Sequence, residues 1–154
     1  MPTDGRRGRS LGLIPMTLVL VPIPSQLVKG TAHVWLPFVQ KIAERTRQHV
    51  NDLVAQIVAN EVQLRLVWEP ETQTAHALAG TRIIRRGQDR IGEILWTTGI
   101  GRRRWLPLLA DLETYHRDHL GCAAMTATAR PGWSRDLRAQ NYRLTHVVME
   151  KEFV

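Results

Sequence analysis

The sequence predicts a single α/β domain, built on a mixed, mostly antiparallel sheet with one parallel β-α-β crossover and flanking helices. Three observations carry this. The chain has 154 residues, 44% hydrophobic and 23% charged, the size and composition of one globular domain with a sizeable core. Its apolar spacing alternates between periods of two and 3.6 in the order β, α, α, β, β, β, α, β, α, β. Finally, the amphipathic stretch Arg103–Leu120 stands between two short apolar strands, and such a unit closes as a right-handed parallel crossover.

Residues 1–15 ("MPTDGRRGRSLGLIP") are rich in Gly and Arg without periodicity, and read as a flexible basic arm ahead of a domain over 16–154. Met16 is an alternative start. Met16–Ile23 reads as a strand. Val34, Trp35, Phe38 and Ile42 share one face of a first helix, with Pro37 in its first turns. Leu53, Val54, Ile57 and Val58 share one face of a second, capped by Asn51 or the residue before it. Val62, Leu64, Leu66 and Trp68 then alternate along a strand. Ala75–Ile84 and Ile91–Thr97 read as a hairpin joined around "RRGQDR", with Gly87 in the turn. Trp105, Leu108, Leu109, Leu112, Tyr115 and His119 line the stripe of the next helix, which Gly121 terminates. Ala123–Ala129 is a strand stopped by Pro131–Gly132, and Trp133–Gln140 has room for two helical turns. Tyr142–Phe153 reads as a long terminal strand, with Tyr142, Leu144, His146 and Val148 on its buried face.

Several classes of protein are excluded. No apolar run approaches the roughly 18 residues of a membrane span. The segment Leu11–Ile23 is broken by Pro15 and Pro22 and lacks a small-residue cleavage site, so the chain is not expected to be secreted. Cys122 is the sole cysteine, which removes an internal disulfide and suits a reducing compartment. The net charge is +7, and only three of the 21 basic residues are lysine. Between Arg82 and Arg104 seven arginines face only Asp89 and Glu93. Such a run is either a solvated basic face or a contact for a phosphate-bearing ligand, a nucleic acid or an acidic protein.

The stretch "WTTGIGRRRW" (Trp96–Trp105) raises the same choice in sharper form. Glycines let a backbone approach an anion closely, and the first N–H groups of a helix converge on it. Thr98, Gly99, Ile100, Gly101, Arg102, Arg103 and Arg104 are therefore candidates for a phosphate cradle, the other reading being a tight basic turn. His116, His119 and Cys122 have a spacing that invites a metal, but a closed zinc site needs four ligands and no fourth presents itself. No metal is assigned. His33, His49, His76 and His146 are scattered.

The element order, and above all "TTGIGRRRWLPLLADLETYHRDHLGCAAMTATA", resembles the GNAT superfamily of acyl-CoA-dependent N-acyltransferases over roughly Met16–Phe153. Gly99 and Gly101 match the two glycines of the family's pyrophosphate loop, with Trp96 where Gln or Arg is usual. Leu108–Leu109, Leu112–Glu113 and Gly121 match its helix pattern, and "RDLRAQNYRLTHVVMEKEF" is similar to its closing motif, with Asn141–Tyr142 in place of Gly-Phe. The resemblance implies acetyl-CoA or CoA on the Gly99–Arg104 loop. It also implies a tyrosine acid on the last helix, at a position here occupied by Leu137, and a base on the strand carrying Glu93. Glu93 is the one catalytic candidate, its other reading being a carboxylate paired to a neighbouring arginine.

More narrowly, "VWLPFVQKIAERT", "RWLPLLADLE" and "RPGWSRDLRAQNYRLTHVVMEKEF" resemble small GNAT-like proteins encoded among the structural genes of tailed bacteriophages. That implies a structural, virion-associated protein with a partly eroded acyl-CoA site and no required cofactor. Its partners would be other phage virion proteins, and packaged DNA through the Arg-rich surface, with no membrane partner. Its location would be the virion or the host cytoplasm. The alternative is a working acetyl-CoA-dependent N-acetyltransferase.

Overall fold

The computed structural model describes residues 17–153, so the arm expected over residues 1–15 lies outside it. Five strands form one sheet in sequence order: β1 (Val19–Ile23), β2 (Gln63–Glu69), β3 (Thr74–Arg86), β4 (Asp89–Gly99) and β5 (Cys122–Ala127). The first four pair antiparallel, and β4 and β5 run parallel. Pro22 is confined to the edge strand β1, where one side of the backbone owes no hydrogen bond to a neighbour.

Helices α1 (Ala32–Thr46) and α2 (Val50–Val58) cover one face. There Trp35, Val39, Ile42, Leu53 and Ile57 pack on Val62, Leu64, Leu66, Leu78 and Trp96. Burial of each of these large side chains contributes about 1.5–3 kcal/mol. The Trp35 indole N–H satisfies the Val28 carbonyl at 2.9 Å, so a fully buried polar group is not orphaned. The opposite face is covered by α3 (Arg102–Trp105) and α4 (Leu109–His119), followed across β5 by α5 (Ser134–Ala139). Val67, Ala77 and Trp105 pack together there. Strand β2, interior in the sheet, is accordingly buried on both faces, Arg65, Val67 and Glu69 included, where a one-sided alternation was expected.

The other differences have local causes. Helix α2 begins at Val50, which packs on the core, so His49 is its N-cap and Asn51 lies inside the first turn without capping it. Val58 is 43% exposed because the helix ends there, past the contact with the sheet. Between α3 and α4, residues Leu106–Leu108 wind as a 3₁₀ turn around Pro107, and that tighter winding resets the phase of the stripe. The buried face of α4 is thus Leu112 and His116, while Tyr115 and His119 are exposed.

The largest correction concerns the tail: residues 142–153 form no strand. Asn141 turns the chain at φ 67°, and the Tyr142 phenol donates to Glu113 Oε2 on α4 at 2.8 Å. Glu152 accepts from Arg47, just beyond α1, at 2.8 Å. The tail is thus bonded to α4 at its start and to the residue after α1 near its end, and does not pair with β5. Leu144, Val147, Val148, Met149 and Phe153 are left 66–92% exposed.

Candidate functional site

The site begins where the sheet opens. Pairing of β4 with β5 ends at Ile94 and Ala127, closed by the Thr128 N–H on the Ile94 carbonyl at 3.2 Å. Beyond that point β4 has no partner on its β5 side. A bulge lies at the same level: Ile94 faces Thr81 and Trp96 faces Gly80, leaving Leu95 as an extra residue. A bulge bends its strand and reverses the faces beyond it. The Trp96 indole consequently lies flat on β3, against Gly80, where a Cβ would stand 2.5 Å from the ring. On the other wall, Arg130 precedes Pro131 and is held extended at φ −66°, ψ 155°, which continues the β5 direction past its last pair.

Between the diverging walls is a cleft of about 400 Å³. Residues 94–97 and 127–130 form its sides. Trp105, Leu106 and Leu109 close it from the α4 face, Trp133 and Leu137 from α5 and its leading turn, and Arg45 and Thr46 from the last turn of α1. The cleft is therefore lined from both faces of the sheet, while Thr98, Gly99, Ile100, Gly101, Arg102, Arg103 and Arg104 do not line it.

The glycine loop lies beside the cleft, in contact with its lining residues Trp105 and Trp133. Gly99 has φ 149°, and a Cβ there would sit 2.3 Å from the His76 carbonyl. That carbonyl accepts the Ile100 N–H at 3.0 Å. Gly101, at φ 68°, is the N-cap of α3, and its own carbonyl accepts the Arg104 N–H at 2.8 Å. The Ile100 and Arg104 amides are thus engaged, leaving those of Gly101, Arg102 and Arg103 as the donors without intrahelical acceptors. The Trp105 indole N–H holds the Ile100 carbonyl at 3.2 Å from beneath. Arg102 fastens the loop to α5, pairing with Asp136 at 2.9 Å and lying 4.5 Å over the Trp133 ring. Arg103 and Arg104 are exposed. Thr98 sits within the β3–β4 ladder opposite Leu78.

Glu93 is held elsewhere. Its carboxylate pairs with Arg82 at 2.9 Å, its side chain is 13% exposed, and it does not line the cleft. Leu137 does line it. His116 is buried, with Nδ1 on the Leu112 carbonyl at 2.8 Å, and burial holds its pKa below the usual imidazole range. His119 stacks on Tyr115 at 5.3 Å, and Cys122 is buried. Among the described residues no group of three or more His, Cys, Asp or Glu is placed to hold a metal.

The arginine run also separates in space. Arg85, Arg86 and Arg90 lie at the β3–β4 hairpin tip, and Arg102–Arg104 follow the opposite end of the eleven-residue β4, roughly 35 Å away at the rise of an extended chain. They do not make one patch.

Two cleft arginines escaped the sequence reading. Arg45 Nη2 donates to the Thr97 carbonyl at 2.9 Å, and Arg130 stands on the facing wall. Burial, and then the like charge of Arg130, lower the Arg45 pKa from its ordinary value. The available signal was faint: an Arg-Pro step just past a strand, and an arginine in a helix's last turn.

No family model matches the sequence, and no curated protein does. Solved structures do. A ribosomal-protein-alanine N-acetyltransferase from Brucella melitensis biovar Abortus superposes with a TM-score of 0.66 at 10% identity, covering 90% of this chain and 99% of that one. Glucosamine-6-phosphate N-acetyltransferase from Arabidopsis thaliana gives 0.61 at 10%, covering 90% and 99%. An aminoglycoside acetyltransferase from an uncultured soil metagenomic sample, in complex with sisomicin, gives 0.62 at 7%, covering 89% and 95%. The fold is that of the GNAT acetyltransferases, over nearly the whole length of each.

Proposed function

We propose that the protein transfers an acetyl group from acetyl-CoA to an amine, with the β4–β5 cleft as its active site. One observation carries the reading: the loop with the open Gly101–Arg103 amides is fastened to two residues that line a cleft between parallel strands, Trp105 through the Ile100 carbonyl and Trp133 through Arg102. A backbone without a Cβ, a helix start and adjacent exposed guanidinium groups suit a pyrophosphate. The volume of about 400 Å³ suits a small ligand's reactive end. Acetyl-CoA would supply the acetyl group as a thioester, which an uncharged amine attacks as the thiolate leaves.

The chain's own residues divide the remaining work. Gly101, Arg102 and Arg103 hold phosphate through their amides, and the Arg102–Asp136 pair keeps the loop registered on α5. Trp105, Trp133 and Leu137 give the cleft an apolar wall for the thioester. No phenol stands at Leu137, and Glu93 is tied to Arg82. The proton lost by the amine and the proton gained by sulfur are therefore exchanged with water.

The solved relatives support this reading over a virion role, which rests on sequence texture alone. The test is free-thiol release from acetyl-CoA across a panel of primary amines, beside thermal stabilisation by CoA. Amine-dependent release is expected, together with a rising melting temperature as CoA is added. No release above the amine-free control, with no stabilisation at millimolar CoA, contradicts it.

A further inference from the structure

We infer that Arg45 and Arg130 form an anion-recognition site at the α1 end of the cleft, so that the acceptor is an amine bearing a carboxylate or phosphate. The inference rests on the acetyl-transfer reading and names its substrate class. With the donor's phosphates on the Gly101–Arg103 amides, beside Trp105 and Trp133, the acceptor enters from the α1 end of the cleft. That end is walled by Arg45 and Thr46 from α1 and by Arg130 from the segment after β5.

The two guanidinium groups are placed to bind rather than to brace the fold. Arg45 spends one donor on the Thr97 carbonyl, which fixes its head at the point where the strands part. The remaining donors of its five are uncommitted to protein carboxylate. Among the described residues no carboxylate lies within 4.0 Å of either arginine: Glu152 pairs with Arg47 and Asp136 with Arg102. Thr46 is occupied by the Ile42 carbonyl and Gln48. Two like charges on facing walls of a concave site repel, and an anion between them relieves that repulsion while accepting from both. The same anion would hold the attached amine at the splay, beside Ile94–Thr97, within reach of a thioester lying against Trp105 and Trp133.

The experiment uses calorimetry and thermal shift on the full chain with CoA present. The probes are two matched pairs, β-alanine against β-alaninamide and phosphoethanolamine against ethanolamine. In the wild type the anionic member of a pair should bind at least about tenfold more tightly. Arg45→Gln and Arg130→Gln should bring that ratio towards one while stabilisation by CoA is retained, which also shows that the variants fold. Equal binding within both pairs, no binding of either member, or a preference unchanged in both variants overturns the inference. So does loss of CoA stabilisation in either variant, which would assign that arginine to the donor's phosphates. Anion preference without any CoA binding keeps the two-arginine site and removes the transfer reading; CoA binding without anion preference removes only the site.

Discussion

Gly99 and Gly101 occupy the same loop, but a methyl group would cost different amounts at each. At Gly99 it would strike the His76 carbonyl and Ala77 at a φ of 149°, so Gly99→Ala should destabilise by about 2–3 kcal/mol in urea unfolding. At Gly101 only Arg104 lies within 4 Å, so Gly101→Ala carries the left-handed backbone cost alone, about 1 kcal/mol. Equal losses would contradict the geometry. Leu137 makes the complementary point. Leu137→Tyr places a phenol in the cleft, and kcat should rise towards the ~10²-fold that a positioned acid supplies; an unchanged kcat would show that thiolate protonation is not limiting. His116 supplies a pH signature. Its folded pKa is depressed, so the unfolded chain binds more protons in acid, and stability should fall as pH drops below about 6.5. His116→Gln should flatten that dependence.

Among the elements, the Arg102–Asp136 tether joins the loop to α5. The pair is partly exposed, so Asp136→Asn should cost under ~1 kcal/mol of stability yet weaken CoA binding several-fold by loosening the loop. A stability loss without an affinity loss would make the tether merely structural. The Tyr142–Glu113 bond ties the tail to α4. Burial and the Glu113 carboxylate raise the phenol's pKa above its usual value of about 10, so the folded state keeps that proton and stability should fall as pH rises beyond 10, less so in Tyr142→Phe. The same elements show what periodicity can and cannot carry. Strands β2–β4 and helices α1 and α2 were legible because each buries apolar side chains whose spacing matches its backbone, whereas β5 was read from its Pro131–Gly132 stop and α3 was read as one helix with α4. The phase of α4 was not legible, because a 3₁₀ turn at Pro107 shifts the stripe from Tyr115 to His116. The tail alternates in sequence without forming a strand: its apolar side chains stay exposed, and its contacts are the Tyr142–Glu113 bond and an exposed Arg47–Glu152 pair.

At the scale of the molecule, the fold was readable because the order of elements admits few topologies, and the Gly99–Gly101 loop was readable because glycine spacing is local. The cleft was not. It is made by a bulge at Leu95, a strand end at Ala127 and the convergence of Arg45 with Arg130, 85 residues apart in sequence. Charge misled in the opposite sense, since neighbours in the Arg82–Arg104 run lie at opposite ends of β4. Residue-resolved NMR titration of the ¹⁵N-labelled protein with CoA tests most directly whether an acyl-CoA occupies this cleft. Amide shifts should move, saturably and together, at Gly101–Arg103 and along the facing walls at residues 95–97 and 128–130. No shifts, or shifts centred on the hairpin tip at Arg85, Arg86 and Arg90, would contradict it.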